Sequence, residues 1–111
     1  MATVTSREER DRNELAVGVE ASHVGHGDRL HGIEVTIEPG AAVETHDHPH
    51  EQITYVVRGE IVLTIDGDDH HIGEGSAAHL PGDTPHAVRN ESNERAIITD
   101  TFSPPREDLL E

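Results

Sequence analysis

Residues 46–52, HDHPHEQ, crowd three imidazoles, two carboxylates and an amide into one short segment, directly before a run of β-formers at 53–57. Such a cluster is a solvated polar turn, a purification tag or a metal site, and the rest of the chain decides between them. His46 and His48 are two apart, so on an extended strand both rings project from the same face. Pro49 interrupts the run before His50. Gln52 lies four residues beyond His48, far enough along to come back toward the same side. His86, in the segment PGDTPHAV, is a further candidate near the other end of the chain. A local pair on one strand closed by a distant imidazole is a recurrent way of holding a metal in a β-barrel.

A second group of reactive side chains stands near the C-terminus, in AIITDTFSPPRED. On a strand at 96–102, Ala96, Ile98, Asp100 and Phe102 alternate with Ile97, Thr99 and Thr101. If Ile98 faces the interior, so do Asp100 and Phe102. An interior aspartate would be pushed up by desolvation and down by a nearby cation, and would be a candidate general acid/base. In the opposite register Ile97 faces inward and Asp100 is exposed; periodicity leaves both open. Pro104 and Pro105 then set a turn that could bring Arg106 over the mouth of a barrel.

These groups need a scaffold, and its punctuation is legible. Residues 1–13 read as a charged leader, and 14–111 as one domain of short strands separated by glycine-containing turns. The expected strands are 15–21, 30–38, 53–58, 60–66, 76–80, 85–89 and 95–102. Ile53, Tyr55 and Val57 share one face, and Ile61, Leu63 and Ile65 share another, with Gly59 between the two strands. GEIVLTIDGDDHHIGEG reads as a hairpin with Asp66-Gly67 at its tip. Helical periodicity is absent except in the last residues, REDLLE. Many short strands without helices imply a sandwich or closed barrel and exclude doubly wound and helical folds.

The chain has 111 residues, room for one modest core. Its only tyrosine and phenylalanine are Tyr55 and Phe102, and it has no tryptophan, so that core is built from Val, Ile, Leu and Ala. There are 23 acidic residues against 8 basic ones, all arginine, for a net charge of −15. Such a surface suits a high-salt interior, where screening suppresses self-repulsion, and equally the arginine-for-lysine bias of a high-GC genome. Nucleic acid and anionic membranes are poor partners for it, because both need a basic patch. With no cysteine there is neither a disulfide nor a thiolate ligand. The polar N-terminus lacks the apolar stretch of a signal peptide, and no segment approaches a membrane span, so a cytoplasmic location is expected.

The two polar clusters also sit in a recognisable frame. Gly40, His46, His48, Gln52 and Gly59 satisfy every spacing of the first cupin motif, and Gly75, Pro81, His86 and Asn90 match the second. Asp83 departs from it, standing where glycine is usual, as does Gln52, where glutamate is common. The chain therefore resembles the cupin family over residues 40–90. The resemblance implies an all-β fold, the cupin double-stranded β-helix or jelly-roll barrel, with one divalent transition metal held by His46, His48, Gln52 and His86. Imidazole and amide ligands suit Ni, Fe, Mn, Zn or Cu better than Ca or Mg. Four neutral ligands leave the +2 charge uncompensated, which makes a good Lewis acid. A homodimer, with the leader and first strand pairing across a partner's sheet edge, follows from the habit of the family.

The spacing of Asp100, Phe102 and Arg106, together with HPHEQITYVV, is similar to the small cupins of pectin and alginate degradation, which ketonise 4,5-unsaturated uronates. That resemblance favours the register with Asp100 inside and implies catalytic roles for Asp100, Phe102 and Arg106 on a sugar-acid substrate. Asp100 would shuttle a proton and Arg106 would clamp the carboxylate. Two other functions fit the same scaffold: a metal-dependent dioxygenase, and a non-catalytic sugar- or metal-binding module. The second is commonly fused to a DNA-binding helix-turn-helix, for which this sequence has no helical region. His23, His26, His31, His70, His71 and His79 belong to no motif and are expected at turns or on the surface. His50 and Glu51 are expected at the rim of the site or behind its ligands.

Overall fold

The computed structural model describes residues 1–110 of the chain. Ten strands form two antiparallel sheets that face each other as a jelly roll: β1 (Arg12–Ala16), β2 (Val19–His26), β3 (His31–Ile37), β4 (Ala42–His46), β5 (Glu51–Arg58), β6 (Glu60–Ile65), β7 (Asp68–Gly73), β8 (Ala77–Leu80), β9 (His86–Arg89) and β10 (Ala96–Ser103). One sheet has six strands in the order β1-β2-β3-β10-β5-β8, and the other has four in the order β4-β9-β6-β7. A short helix, α1 (Glu107–Leu110), follows the last strand. None of the described helices is long and apolar enough to cross a membrane.

Between the sheets Val19, Val35, Ile37, Val56, Ile61, Leu63 and Ile98 form an aliphatic core. Asp66 and Gly67 both take positive φ, 50° and 85°, as a two-residue hairpin between β6 and β7 requires. Gly59 has φ 80° and turns the chain from β5 into β6. A Cβ there would stand 3.1 Å from the Arg95 carbonyl oxygen, so both the backbone angle and the tight space favour glycine.

Four features stand apart from the sequence reading. The strand expected at 15–21 is not one strand: the segment straddles a turn at Val17-Gly18, with Gly18 at φ 79°. Arg12 and Asn13, assigned to the leader, belong to β1 and pair with Ser22 and Ala21 of β2. A further strand, β4, lies at Ala42–His46, where none was expected, because its residues are too exposed to leave an apolar pattern. Finally, Ile53, Tyr55 and Val57 do share a face, but it is the outer one, with exposures of 49%, 43% and 45%. The inner face of β5 carries Gln52, Thr54 and Val56 instead.

The pairing of β10 with both β3 and β5 matters most for function. Directly opposed residues of an antiparallel sheet point to the same side. Phe102 is opposite His31 and Gln52; Asp100 is opposite Ile33 and Thr54; Ile98 is opposite Val35 and Val56. Three inward-facing rows result, and they become steadily more polar toward one end of the barrel.

Candidate metal centre and its cavity

His46 closes β4 and stands opposite His86, the first residue of β9, in the four-stranded sheet. His48 lies on the connection to β5, and Gln52 is on β5 in the six-stranded sheet. The two sheets therefore each supply part of the cluster. One ring nitrogen from each of His46, His48 and His86 lies within 4.8 Å of the others. The rings of His46 and His86 are 4.4 Å apart, and those of His48 and His86 5.0 Å.

The backbone sets the tautomer of each ring. His46 Nδ1 donates to the Glu44 carbonyl at 2.8 Å, His48 Nδ1 to the His50 carbonyl at 3.1 Å, and His86 Nδ1 to the Thr84 carbonyl at 2.8 Å. A neutral imidazole that spends its hydrogen at Nδ1 presents a bare lone pair at Nε2. Burial first, and then nearby positive charge, lowers the pKa values of His48 and His86, which favours the neutral form. The loop carrying His48 is itself tied down. Asp83 N–H donates to the His48 carbonyl at 2.7 Å, and a Cβ at Gly82 would collide with the Pro49 carbonyl. Asp83 makes this bond at φ 63°, the left-handed conformation that glycine takes at lower cost.

Gln52 completes the set. Its amide nitrogen donates to Thr54 Oγ1 at 2.9 Å, and the Thr54 hydroxyl donates to Asp100 Oδ1 at 2.7 Å. Because the threonine hydrogen is committed to the carboxylate, Thr54 can only accept from Gln52, which turns Gln52 Oε1 toward the histidines. Oε1 lies 2.9 Å from His48 Nε2. Two lone pairs at that distance repel unless a cation lies between them. The spacing is also about that of neighbouring ligand atoms on an ion with metal–ligand distances of about 2.0–2.1 Å. The donor set thus fits a divalent transition metal.

The cluster opens on a cavity of ≈ 650 Å³ walled by His46, His86, Gln52, Asp100, Phe102 and Arg106. That volume is within the roughly 300–1,000 Å³ of small-molecule sites. β10 takes the register with Ala96, Ile98, Asp100 and Phe102 inward. Burial, the dominant influence, raises the Asp100 carboxyl to about 6, against the lowering effect of hydrogen bonds from Thr54 and Gln52 and the charge of Arg106.

The Arg106 guanidinium sits 5.1 Å from the centre of the Phe102 ring. Its Nε and Nη2 pair with both carboxylate oxygens of Asp108 at 3.0 and 2.7 Å. One bidentate edge of the proposed clamp is thus engaged within the chain, and only Nη1 and the outer side of Nη2 remain for a ligand.

The other histidines divide. His26, His70, His71 and His79 are exposed. His79 pairs with Glu51 at 2.6 Å on the surface. His50 lines a neighbouring cavity with Asp108 and Pro104. His23 and His31, expected at turns or on the surface, are buried, His31 completely. They can be interior because each finds hydrogen-bond partners there. Thr54 and Asp108 were not singled out by the sequence. Thr54 could have been found as the next inward position after Gln52, and Asp108 only from the fold.

Comparison with known proteins agrees with this geometry. The cupin domain model matches residues 33–102, which contain the histidine cluster, Gln52 and Asp100. The chain belongs to the cupin family. This cupin is 32% identical over 98 residues to the pectin degradation protein KdgF of Dickeya dadantii, covering 87% of this chain and 88% of that one. The solved structure of KdgF from Halomonas sp. superposes with a TM-score of 0.89 at 27% identity, over 98% of this cupin and 99% of the other. The HTH-type transcriptional regulator PuuR of Escherichia coli is 37% identical over 78 residues, which are 68% of this cupin and 42% of the regulator.

Proposed function

We propose that this cupin is an enzyme of uronate processing that ketonises 4,5-unsaturated uronates, the monosaccharides left by pectin or alginate lyases, with a divalent transition metal at His46, His48, Gln52 and His86. The observation that carries the reading is the hydrogen-bonded path Gln52–Thr54–Asp100, which joins the metal-type cluster to a cavity carboxyl that faces Arg106. The relatives named for pectin degradation support the same substrate class.

In the ring-opened substrate an enol at C5 must gain a proton at C4 and lose one from its oxygen. When bound, the metal would supply Lewis-acid stabilisation of charge developing on substrate oxygens. Asp100 gives the proton to C4 and accepts the one released by the enol, a role suited to a carboxyl near 6. Thr54 holds that carboxyl by donating to Oδ1. Arg106 offers Nη1 and the outer edge of Nη2 to the substrate carboxylate, a local cation in a chain of net charge −15. Phe102 carries Arg106 on its face and packs edge-on against His48, with ring centres 5.7 Å apart. Apolar side chains such as Leu63 and Val88 complete the wall.

The test is the ultraviolet absorbance of freshly released 4,5-unsaturated galacturonate. The protein should speed its loss, Asp100→Asn should keep the metal and lose most of the rate, and Arg106→Ala should chiefly raise KM. Equal decay with and without protein would overturn the proposal. The identity to PuuR favours a second reading, sugar-acid binding without turnover, which would show as saturable binding of galacturonate with no change in decay. For assembly we propose a homodimer through an edge of the six-stranded sheet, where β1 stands; a monomeric mass by light scattering at both low and high salt would refute it.

A further inference from the structure

Across Phe102 from Gln52, on β3, lies His31, completely buried and unrelated to any metal-type spacing. Its ring stacks on His23, with centres 5.2 Å apart and planes 3° from parallel. Three hydrogen bonds run through the pair: the backbone N–H of Arg106 to His31 Nδ1 at 3.1 Å, His31 Nε2 to His23 Nδ1 at 3.0 Å, and His23 Nε2 to Asn13 Oδ1 at 2.6 Å.

The direction of this relay follows from one fact: a backbone N–H can only donate. His31 Nδ1 is therefore the acceptor and bare, so the ring's hydrogen is on Nε2 and goes to His23. His23 Nδ1 is then bare as well, its hydrogen is on Nε2, and it goes to the Asn13 carbonyl oxygen. Asn13 at the sheet edge thus sets the orientation of two buried rings and leaves a lone pair aimed at Arg106.

That acceptor matters because of what precedes it. Pro104 and Pro105 have no N–H, so the amide of Arg106 is the first backbone donor after Ser103, where β10 ends. Its own carbonyl accepts from Leu109 N at 3.0 Å, closing the turn into α1. Both backbone groups of Arg106 are therefore held, while Asp108 and Phe102 hold its side chain.

We infer that His31, oriented through His23 by Asn13, is a positioning residue that anchors the backbone of Arg106 and so fixes where its guanidinium meets the cavity. An apolar residue at position 31 would fill the space but leave a part-buried amide without its acceptor. Burial, followed by the positive potential of His23, His26 and Arg106, lowers the His31 pKa to about 4, so the ring stays neutral and its lone pair available at neutral pH. The substrate role of Arg106 rests on the proposed function, but the anchoring does not.

The experiment uses the full-length, metal-loaded protein. In long-range proton–nitrogen spectra at pH 7, both His23 and His31 should carry their hydrogen on Nε2. In His31→Leu the Arg106 amide should exchange with solvent at least about tenfold faster, and KM for unsaturated galacturonate should rise about tenfold or more, with kcat within about threefold. His31→Asn, whose Oδ1 can stand where Nδ1 stood, should restore KM to within about threefold of wild type. If His31→Leu does not fold, Asn13→Leu tests the far end of the relay by the same exchange measurement. A hydrogen on His31 Nδ1, or Arg106 exchange within about twofold of wild type in the variant that folds, overturns the inference. Should wild type fail to speed the absorbance decay, the proposed reaction fails, while the spectra and the exchange still decide the role of His31.

Discussion

Thr54→Val is the sharpest test of how the site is built. Thr54 is 1% exposed, and its hydroxyl accepts from Gln52 and donates to Asp100. Valine has nearly the same shape, so the substitution deletes chemistry more than volume. The Gln52 amide nitrogen is left as a buried donor without its acceptor, at about 1–3 kcal/mol. Asp100 faces the cavity and can recruit water, so its loss is smaller, about 1 kcal/mol. The sum is about 2–4 kcal/mol. An unfolding entropy of about 2.1 cal/mol/K per residue over 111 residues makes 1 kcal/mol worth about 4 °C, so the metal-free variant should melt about 8–16 °C lower. With Gln52 no longer oriented, Oε1 is free to rotate away from His48, and metal affinity should fall about 10–100-fold. Thermal unfolding after chelation gives the first quantity, and competition with a chromophoric chelator for zinc or nickel gives the second. Thr54→Ser keeps the hydroxyl and should retain the affinity. Refutation would be a Thr54→Val protein whose melting temperature lies within about 2 °C and whose metal affinity lies within about twofold of wild type.

Other outcomes follow from the same structure. Replacing His46 and His86 together by alanine should abolish metal binding, read by elemental analysis of protein purified without a nickel column; full occupancy would rule out this ligand set. Asp69 is held at about 2, chiefly by its hydrogen bonds from Arg89 and then from Thr64, so the pair stabilises the fold above the ordinary aspartate range and ceases to as pH falls through about 2. Asp69→Asn should accordingly lower the urea midpoint at pH 6 and converge on wild type as the solution is acidified below 4. A pH-independent difference would show that the charge is not responsible. Asp83→Gly relieves a left-handed residue, φ 63°, and should raise stability by up to about 1 kcal/mol. A lower melting temperature would mean that the aspartate side chain contributes more than the strain costs.

Local spacing was enough to bring out the strand-borne parts of this molecule. Ile61, Leu63 and Ile65 lie two apart along β6, and the Asp66-Gly67 turn joins β6 to β7, because strand periodicity and positive-φ turns depend only on neighbouring residues. The first hairpin was hidden for a related reason: Leu15 to Val19 carries no polar side chain, so the turn at Gly18 leaves no polar gap.

What the tertiary structure alone decided is which face of each strand looks inward. Ile53, Tyr55 and Val57 would be the natural core face of β5, yet they are outside, because the inner face holds Gln52 and Thr54 against Asp100 and Phe102 of β10. The same long-range pairing selects the register of β10, which alternation alone left undecided, and brings His31 of β3 beside Phe102. A one-residue slip in any of these pairings would turn every side chain to the other face. Arg106 shows the limit most clearly. Its position depends on an acceptor 75 residues earlier in the chain and on a ring tautomer set by a third strand. Hydrogen bonds of that kind leave no periodic mark in a sequence, since they exist only once the strands carrying their two ends have been brought together.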